Sequence, residues 1–64
     1  MIRIVGRETR RVDDSPGSDI EAVAKINGLS GERYIAILNG KPVTWDHRID
    51  ETDDLVFVEV FSGG

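Results

Sequence analysis

The chain has 64 residues, with twelve acidic and eight basic side chains, a net charge of −4 at pH 7, and no cysteine. A chain of this length forms one small domain with a small core, and lacking cysteine it has no disulfide, no thiolate metal site and no thiol nucleophile. The acidic balance argues against nucleic-acid binding, which needs a basic face. Without an apolar run near ~18 residues or a signal-peptide pattern, we expect a cytoplasmic monomer with no membrane partner.

The N-terminal residues predict a β-hairpin. Residues 1–5 alternate apolar and polar side chains and turn at Gly6, and residues 8–12 can pair back as a more polar edge strand. The run Asp-Asp-Ser-Pro-Gly at 13–17 ends the hairpin. This part also contains a basic cluster, for which we consider both a solvated strand face and a surface for an acidic partner: Arg3, Arg7, Arg10 and Arg11.

A short helix follows. Ser18 and Glu21 have the spacing of a capping box, and Asn27-Gly28 is a typical helix stop, so we predict a helix from Ser18 to Asn27. Its apolar stripe consists of Ile20, Val23 and Ala24. A helix this short is unstable alone in water and must lie against a sheet.

The remaining elements are three strands. Residues 34–38 form an apolar strand, Asn39-Gly40 predicts a tight hairpin, and residues 41–43 return from it. Trp45 and Ile49 are spaced to fold a loop over the edge of the core. The acidic run 50–54 lacks the glycine and terminal glutamate of a calcium loop, so we interpret it as a solvated turn before the last strand.

The predicted order is thus β-β-α-β-β-β, an α+β fold in which a mixed sheet of four to five strands is crossed by one helix. One helix covers one sheet face, yet the last strand is apolar on both faces. We expect the first and last strands to be adjacent and parallel, with a core of Ile2, Ile4, Ile20, Val23, Leu38, Leu55 and Phe57. The opposite, open face would then form a partner-binding patch of Ile37, Val56, Val58, Val60 and Phe61, unless loops cover it.

The sequence ends with Gly63-Gly64 directly after this apolar strand. Two glycines can enter a narrow channel in extended form, and a terminal carboxylate is ionised at neutral pH. The alternative is a frayed end without function. We divide the chain into a domain of residues 1–62 and a flexible Gly-Gly tail of residues 63–64.

The second half resembles the ubiquitin-like sulfur carriers, most closely the thiamine-pathway carrier, and also the molybdopterin-synthase small subunit and the small archaeal ubiquitin-like modifiers. The likeness rests on residues 36–43, Ala-Ile-Leu-Asn-Gly-Lys-Pro-Val, then Trp45, the acidic turn, and an apolar strand running into Gly63-Gly64. Residues 1–33 match only in element order. Thr52-Asp53-Asp54 stands where the carriers often have Asp-Gly-Asp, and Phe61-Ser62 replaces the basic residues that precede the glycines of ubiquitin.

The resemblance implies a β-grasp fold and a chain that is a substrate of enzymes, not an enzyme. An adenylating enzyme of the ubiquitin-activating type would supply ATP and magnesium and activate the Gly64 carboxylate; the chain itself needs no cofactor or metal. The activated end would pass to a sulfur-accepting synthase as a thiocarboxylate, or to lysines of target proteins. Lys25 and Lys41 are the only lysines that could accept another copy.

Two alternatives from other classes stay open at this point. The chain could be a β-grasp interaction module whose Gly-Gly end is incidental. It could also be an enzyme subunit that only inserts its tail into the active site of a partner.

Overall fold

A computed structural model describes residues 1–6, 8–12 and 19–60 of the chain. In this part it contains one helix, α1 (Ile20–Ile26). The five strands, in chain order, are β1 (Ile2–Val5), β2 (Arg10–Val12), β3 (Tyr34–Leu38), β4 (Lys41–Val43) and β5 (Leu55–Glu59). The predicted order of elements is confirmed, although β1, β2, the helix and β5 are shorter than expected. No helix in the described part is long and apolar enough to cross a membrane.

The strands form a single mixed sheet in the order β2-β1-β5-β3-β4. β5 lies at the centre, parallel to β1 and antiparallel to β3, and the two hairpin partners β2 and β4 form the edges. The expected parallel pairing of the first and last strands is therefore confirmed. A parallel pair needs a crossover connection, and the helix lies in the chain between β1 and β5.

The helix begins one residue later than its capping box predicts, and this part of the prediction is wrong. Asp19, not Ser18, is the N-cap: its backbone is extended and its carboxylate accepts a hydrogen bond from the amide of Ala22 at 2.8 Å. The amides of Ile20 and Glu21 donate instead to the carbonyls of His47 and Trp45, at 2.9 and 3.0 Å. These contacts with a distant loop satisfy the amide groups that a helix start leaves open.

The end of the helix confirms the predicted Asn-Gly stop. Gly28 has a φ of +69°, the left-handed conformation that glycine adopts without strain. Its amide donates to the carbonyl of Lys25, and the amide of Leu29 donates to that of Ala24, which is the Schellman arrangement. Leu29 then packs against the core, so the stop also directs the chain towards β3.

The core lies between the helix and one face of the sheet. Of the seven residues expected there, six are buried, and Leu38 is only partly buried because it pairs with Lys41 of the edge strand β4. The helix contributes the predicted apolar stripe and the central strand contributes Leu55 and Phe57. Within residues 1–6, 8–12 and 19–60, the buried residues are Ile2, Ile4, Ile20, Val23, Ala24, Ala36, Ile49, Leu55 and Phe57.

The loop after β4 closes one edge of this core, as predicted. Ile49 is buried, and the half-buried ring of Trp45 packs edge-on against Phe57, with centroids 5.7 Å apart and planes at 81°. Because the same loop supplies the carbonyls that cap the helix, core closure and helix start depend on one segment.

Candidate functional site

The sheet face opposite the helix, here called the outer face, is defined by the strand register. One row of paired residues crosses all five strands: Arg11, Arg3, Val56, Ile37 and Pro42. A second row crosses the three central strands: Val5, Val58 and Ile35. Paired residues on neighbouring strands point to the same side of a sheet, so these eight side chains share one surface.

No described segment covers the apolar part of the outer face. Ile35 is 46% exposed and Val60 44% exposed, while Ile37, Val56 and Val58 are half-buried by their neighbours on the sheet. The structure thus brings Ile37, Val56 and Val58 together on an open surface, and Val60 continues the alternation just past the end of β5. Phe61, the fifth residue expected in this patch, lies outside the described residues.

The sequence prediction omitted two residues of this surface. Ile35 and Val5 both pair with Val58 in the second row. The alternation of β1 contains the signal for Val5: with Ile2 and Ile4 in the core, Arg3 and Val5 must point to the other face. Ile35 follows from Ile37 by the period of two, but β3 is apolar at every position, so its facing was ambiguous until its register with β5 was known.

The basic cluster of the N-terminal hairpin is divided between the two faces. Arg3 and Arg11 lie opposite each other on the outer face, whereas Arg10 pairs with Ile4 and lies on the helix side. Arg7 lies outside the described residues. The Nη2 of Arg3 is 3.9 Å from the Oδ2 of Asp54, and its Nε is inaccessible to solvent without a hydrogen-bond partner among the described residues.

The tail is connected to the centre of the sheet. β5 lies between β1 and β3, and the amide of Val60 donates to the carbonyl of Arg33 at 2.6 Å, which extends the sheet pairing one residue beyond the strand. Phe61 and the Gly63-Gly64 tail, the residues on which the carrier hypothesis rests, lie outside the described residues. The last described residue, Val60, is thus held at the sheet beside Arg33, and residues 61–64 follow it in the sequence.

The β3–β4 hairpin is joined to the acidic turn before β5 by a reciprocal set of hydrogen bonds. The side-chain amide of Asn39 donates to the carboxylate of Asp53 at 2.9 Å, and its oxygen accepts from the amide of Asp54 at 2.9 Å. The hydrogen bond from Asn39 and a second one from the amide of Asp50 lower the pKa of Asp53 below its ordinary value of 3.8. The turn thus has a structural role, and in the described part of the chain no three acidic or histidine side chains are grouped to hold a metal ion.

The two lysines occupy different surroundings. Lys25 lies on the exposed side of the helix, where its Nζ is 3.4 Å from the carboxylate of Glu21 and its side chain is 75% exposed. Lys41 is an exposed residue at the start of the edge strand β4. Both ammonium groups can therefore be reached from solution.

A shallow open cavity of about 360 Å³ lies on the helix side of the sheet. It is lined by Ile4, Gly6, Glu8, Arg10, Tyr34 and Glu59. Glu59 lies directly over Gly6, where an added Cβ would be 2.5 Å from its Oε1. The polar groups that line the cavity carry charges of both signs and do not form a nucleophile–base pair.

Comparison of the chain with protein-family models and with curated protein sequences found no match.

Proposed function

We propose that this chain is a β-grasp protein of the ubiquitin-like type that serves as a sulfur carrier and protein modifier. The observation that supports it most is the connection of the C-terminal segment to the central strand. The Phe-Ser-Gly-Gly segment follows β5 after one residue, Val60, and β5 is paired with β1 up to Val58 and with β3 up to Glu59. A short tail attached to the middle of a sheet can be presented to an enzyme while the domain behind it stays folded.

The proposed chemistry takes place at the carboxylate of Gly64 and uses no catalytic group of this chain. A carboxylate oxygen attacks the α-phosphorus of ATP in the active site of an adenylating enzyme, forming an acyl-adenylate and releasing pyrophosphate. Attack by hydrosulfide on the acyl carbon then displaces AMP and, with loss of a proton, leaves a thiocarboxylate for a synthase; attack by a lysine amine displaces AMP and leaves an isopeptide bond. ATP, magnesium and the donors that stabilise the developing charge belong to the adenylating enzyme.

The outer face is the surface that we propose for docking that enzyme. It is apolar at its centre, uncovered in the described structure, and lies on the strand that leads to the tail. Val58→Arg should leave the fold intact because this half-buried side chain borders solvent, and should weaken activation strongly. Ile26→Arg is the matched control, since it adds the same charge at an apolar helix residue that is 80% exposed. Normal activation of a folded Val58→Arg protein would remove the docking role.

The decisive experiment concerns the tail. The full chain and a variant lacking Gly63-Gly64 are each incubated with an adenylating enzyme from the same organism, ATP and radiolabelled pyrophosphate. We expect exchange only with the full chain, and unchanged thermal unfolding of the truncated one. Gly64→Ala should also reduce exchange, since a methyl group must enter a channel that fits glycine. Equal exchange by the truncated chain would contradict the proposal.

Two mass measurements complete this test. The intact mass of the protein purified from its source shows whether Gly64 is its terminal residue, as the proposed chemistry requires. After incubation with enzyme, ATP and a sulfur donor, the mass should rise by the difference between sulfur and oxygen. Self-conjugation, if it occurs, should be lost in the Lys25→Arg, Lys41→Arg double variant; conjugates on that variant would show that another group accepts.

The second candidate is an interaction module that uses the outer face alone. The same apolar surface favours it, and the two candidates differ in what the tail does. A module would bind its partner equally well without Gly63-Gly64 and would never support pyrophosphate exchange.

A further inference from the structure

The two rows of the outer face combine an apolar centre with two arginines at one end, where the carboxylate of Asp54 lies 3.9 Å from Arg3. In the row that crosses the sheet, Arg11 and Arg3 occupy the β2–β1 end, and Val56, Ile37 and Pro42 occupy the other three strands. None of the eight side chains in the two rows is acidic. This basic end contrasts with the net charge of −4 of the whole chain.

Among the described residues, the two arginines make no strong contact that would stabilise the fold. Like charges directly opposite each other on neighbouring strands repel, and Arg3 and Arg11 are such a pair. Arg11 forms no ion pair within the described residues, and the contact of Arg3 with Asp54, at 3.9 Å between exposed groups, is weak. The Nε of Arg3 is removed from water without an acceptor among those residues. An unpaired donor of this kind is costly, and a carboxylate of a bound partner would satisfy it.

The distribution of charge distinguishes between possible occupants. In a back-to-back pair of two copies, the apolar rows could pack together, but neither row contains a carboxylate that would meet the arginines, and the nearby Asp54 already faces Arg3 of its own chain. A nucleic acid would neutralise the arginines but leave the apolar rows exposed. A protein that presents carboxylates beside an apolar patch satisfies both halves of the surface at once.

We infer that Arg3 and Arg11, together with the apolar rows, form one oriented docking surface for a protein with an acidic rim beside an apolar centre. That this docking partner is the adenylating enzyme rests on the proposed function. The arginine end fixes which way the partner lies across the strands, and so where the chain that follows β5 is delivered. Arginine suits this role because its planar guanidinium can bond a carboxylate in a bidentate manner.

The test compares two neighbouring arginines on one strand. Arg11→Gln removes a charge from the outer face, and Arg10→Gln removes the same charge from the helix side. Affinity of the full-length variants for the adenylating enzyme is measured without ATP at several salt concentrations. We expect Arg11→Gln to weaken binding about fivefold at low salt and to flatten the salt dependence, with Arg10→Gln close to wild type. Arg3→Lys, which keeps the charge but loses the Nε donor, should also weaken binding.

Several outcomes would overturn the inference. Equal effects of Arg10→Gln and Arg11→Gln would indicate only long-range attraction, and no effect of either would exclude the arginines from the interface. A wild-type chain that forms dimers lost in Val58→Arg, or that binds an oligonucleotide through Arg11, would identify a different occupant. Pyrophosphate exchange distinguishes failure of the docking surface from failure of the proposed function. Exchange with wild type but no difference between the two glutamine variants refutes the docking surface alone, whereas absence of both exchange and binding refutes both.

Discussion

Phe57 should be the most costly residue of this domain to truncate. Its side chain is fully buried on the central strand, between Ile4 and Ala36, with Trp45 packed edge-on at 5.7 Å. Replacing such a ring by alanine costs about 3–5 kcal/mol, of which the aromatic contact contributes about 0.5–1.5 kcal/mol. The whole domain, at about 0.05–0.15 kcal/mol per residue, has a stability of about 3–10 kcal/mol. We therefore expect Phe57→Ala to remove most of the stability and to leave a large unfolded fraction.

Urea unfolding measures this directly, because Trp45 is the only tryptophan and lies against the mutated side chain. Its fluorescence and the far-UV circular dichroism should give coincident transitions in the wild type. Phe57→Leu, expected to cost less than about 1.5 kcal/mol, gives a measurable value if the alanine variant does not fold. Val58→Ala, the next residue on the outer face, is the control, at less than about 1 kcal/mol. Equal losses at positions 57 and 58 would refute the assignment of the two faces.

Two further predictions concern local contacts. Asn39→Gly keeps the left-handed backbone at φ +51° but removes the hydrogen bond from Asn39 that lowers the pKa of Asp53. The loss of unfolding free energy should therefore have its full size above pH 3.8 and shrink as the pH falls through the lowered folded-state pKa. A loss of stability relative to wild type that stays the same between pH 7 and pH 2 would contradict this. Gly6→Ala should cost about 1 kcal/mol in thermal unfolding because its Cβ would be 3.3 Å from the Cβ of Glu59 and closer to the carboxylate. Glu59→Ala, introduced into the Gly6→Ala variant, should recover part of the lost stability. No recovery in this double variant would show that the strain does not come from the contact with Glu59.

Features encoded by neighbouring residues could be predicted from the sequence. β3 and β4 have the predicted bounds because Asn39-Gly40 supplies the two positive φ values, +51° and +83°, that a tight hairpin requires. The helix ends where Gly28 allows a left-handed residue. The facing of β5 followed from its period of two combined with the need to bury the larger side chains.

The proposed site could be predicted only in part. The apolar alternation of β5 indicated Val56, Val58 and Val60, and the Gly-Gly end suggested the chemistry of a carrier, but neither indicated a separate role for each arginine. Arg10 and Arg11 are adjacent in sequence and look equivalent there. Their assignment to opposite faces depends on the register with β1, in which a shift of one residue would exchange them.

The sequence by itself thus determined the order of the elements, the Asn39-Gly40 hairpin, the helix stop at Gly28, and the buried face of the helix, β1 and β5. Only the tertiary structure decided which distant segments complete them. The helix begins at Ile20 because the carbonyls of Trp45 and His47 accept its first amide hydrogens, and this contact spans more than twenty residues of chain. The same folding places β5 between β1 and β3 and aligns Arg3 with Arg11. Such pairings depend on long-range hydrogen bonding and burial, which no local pattern of residues specifies.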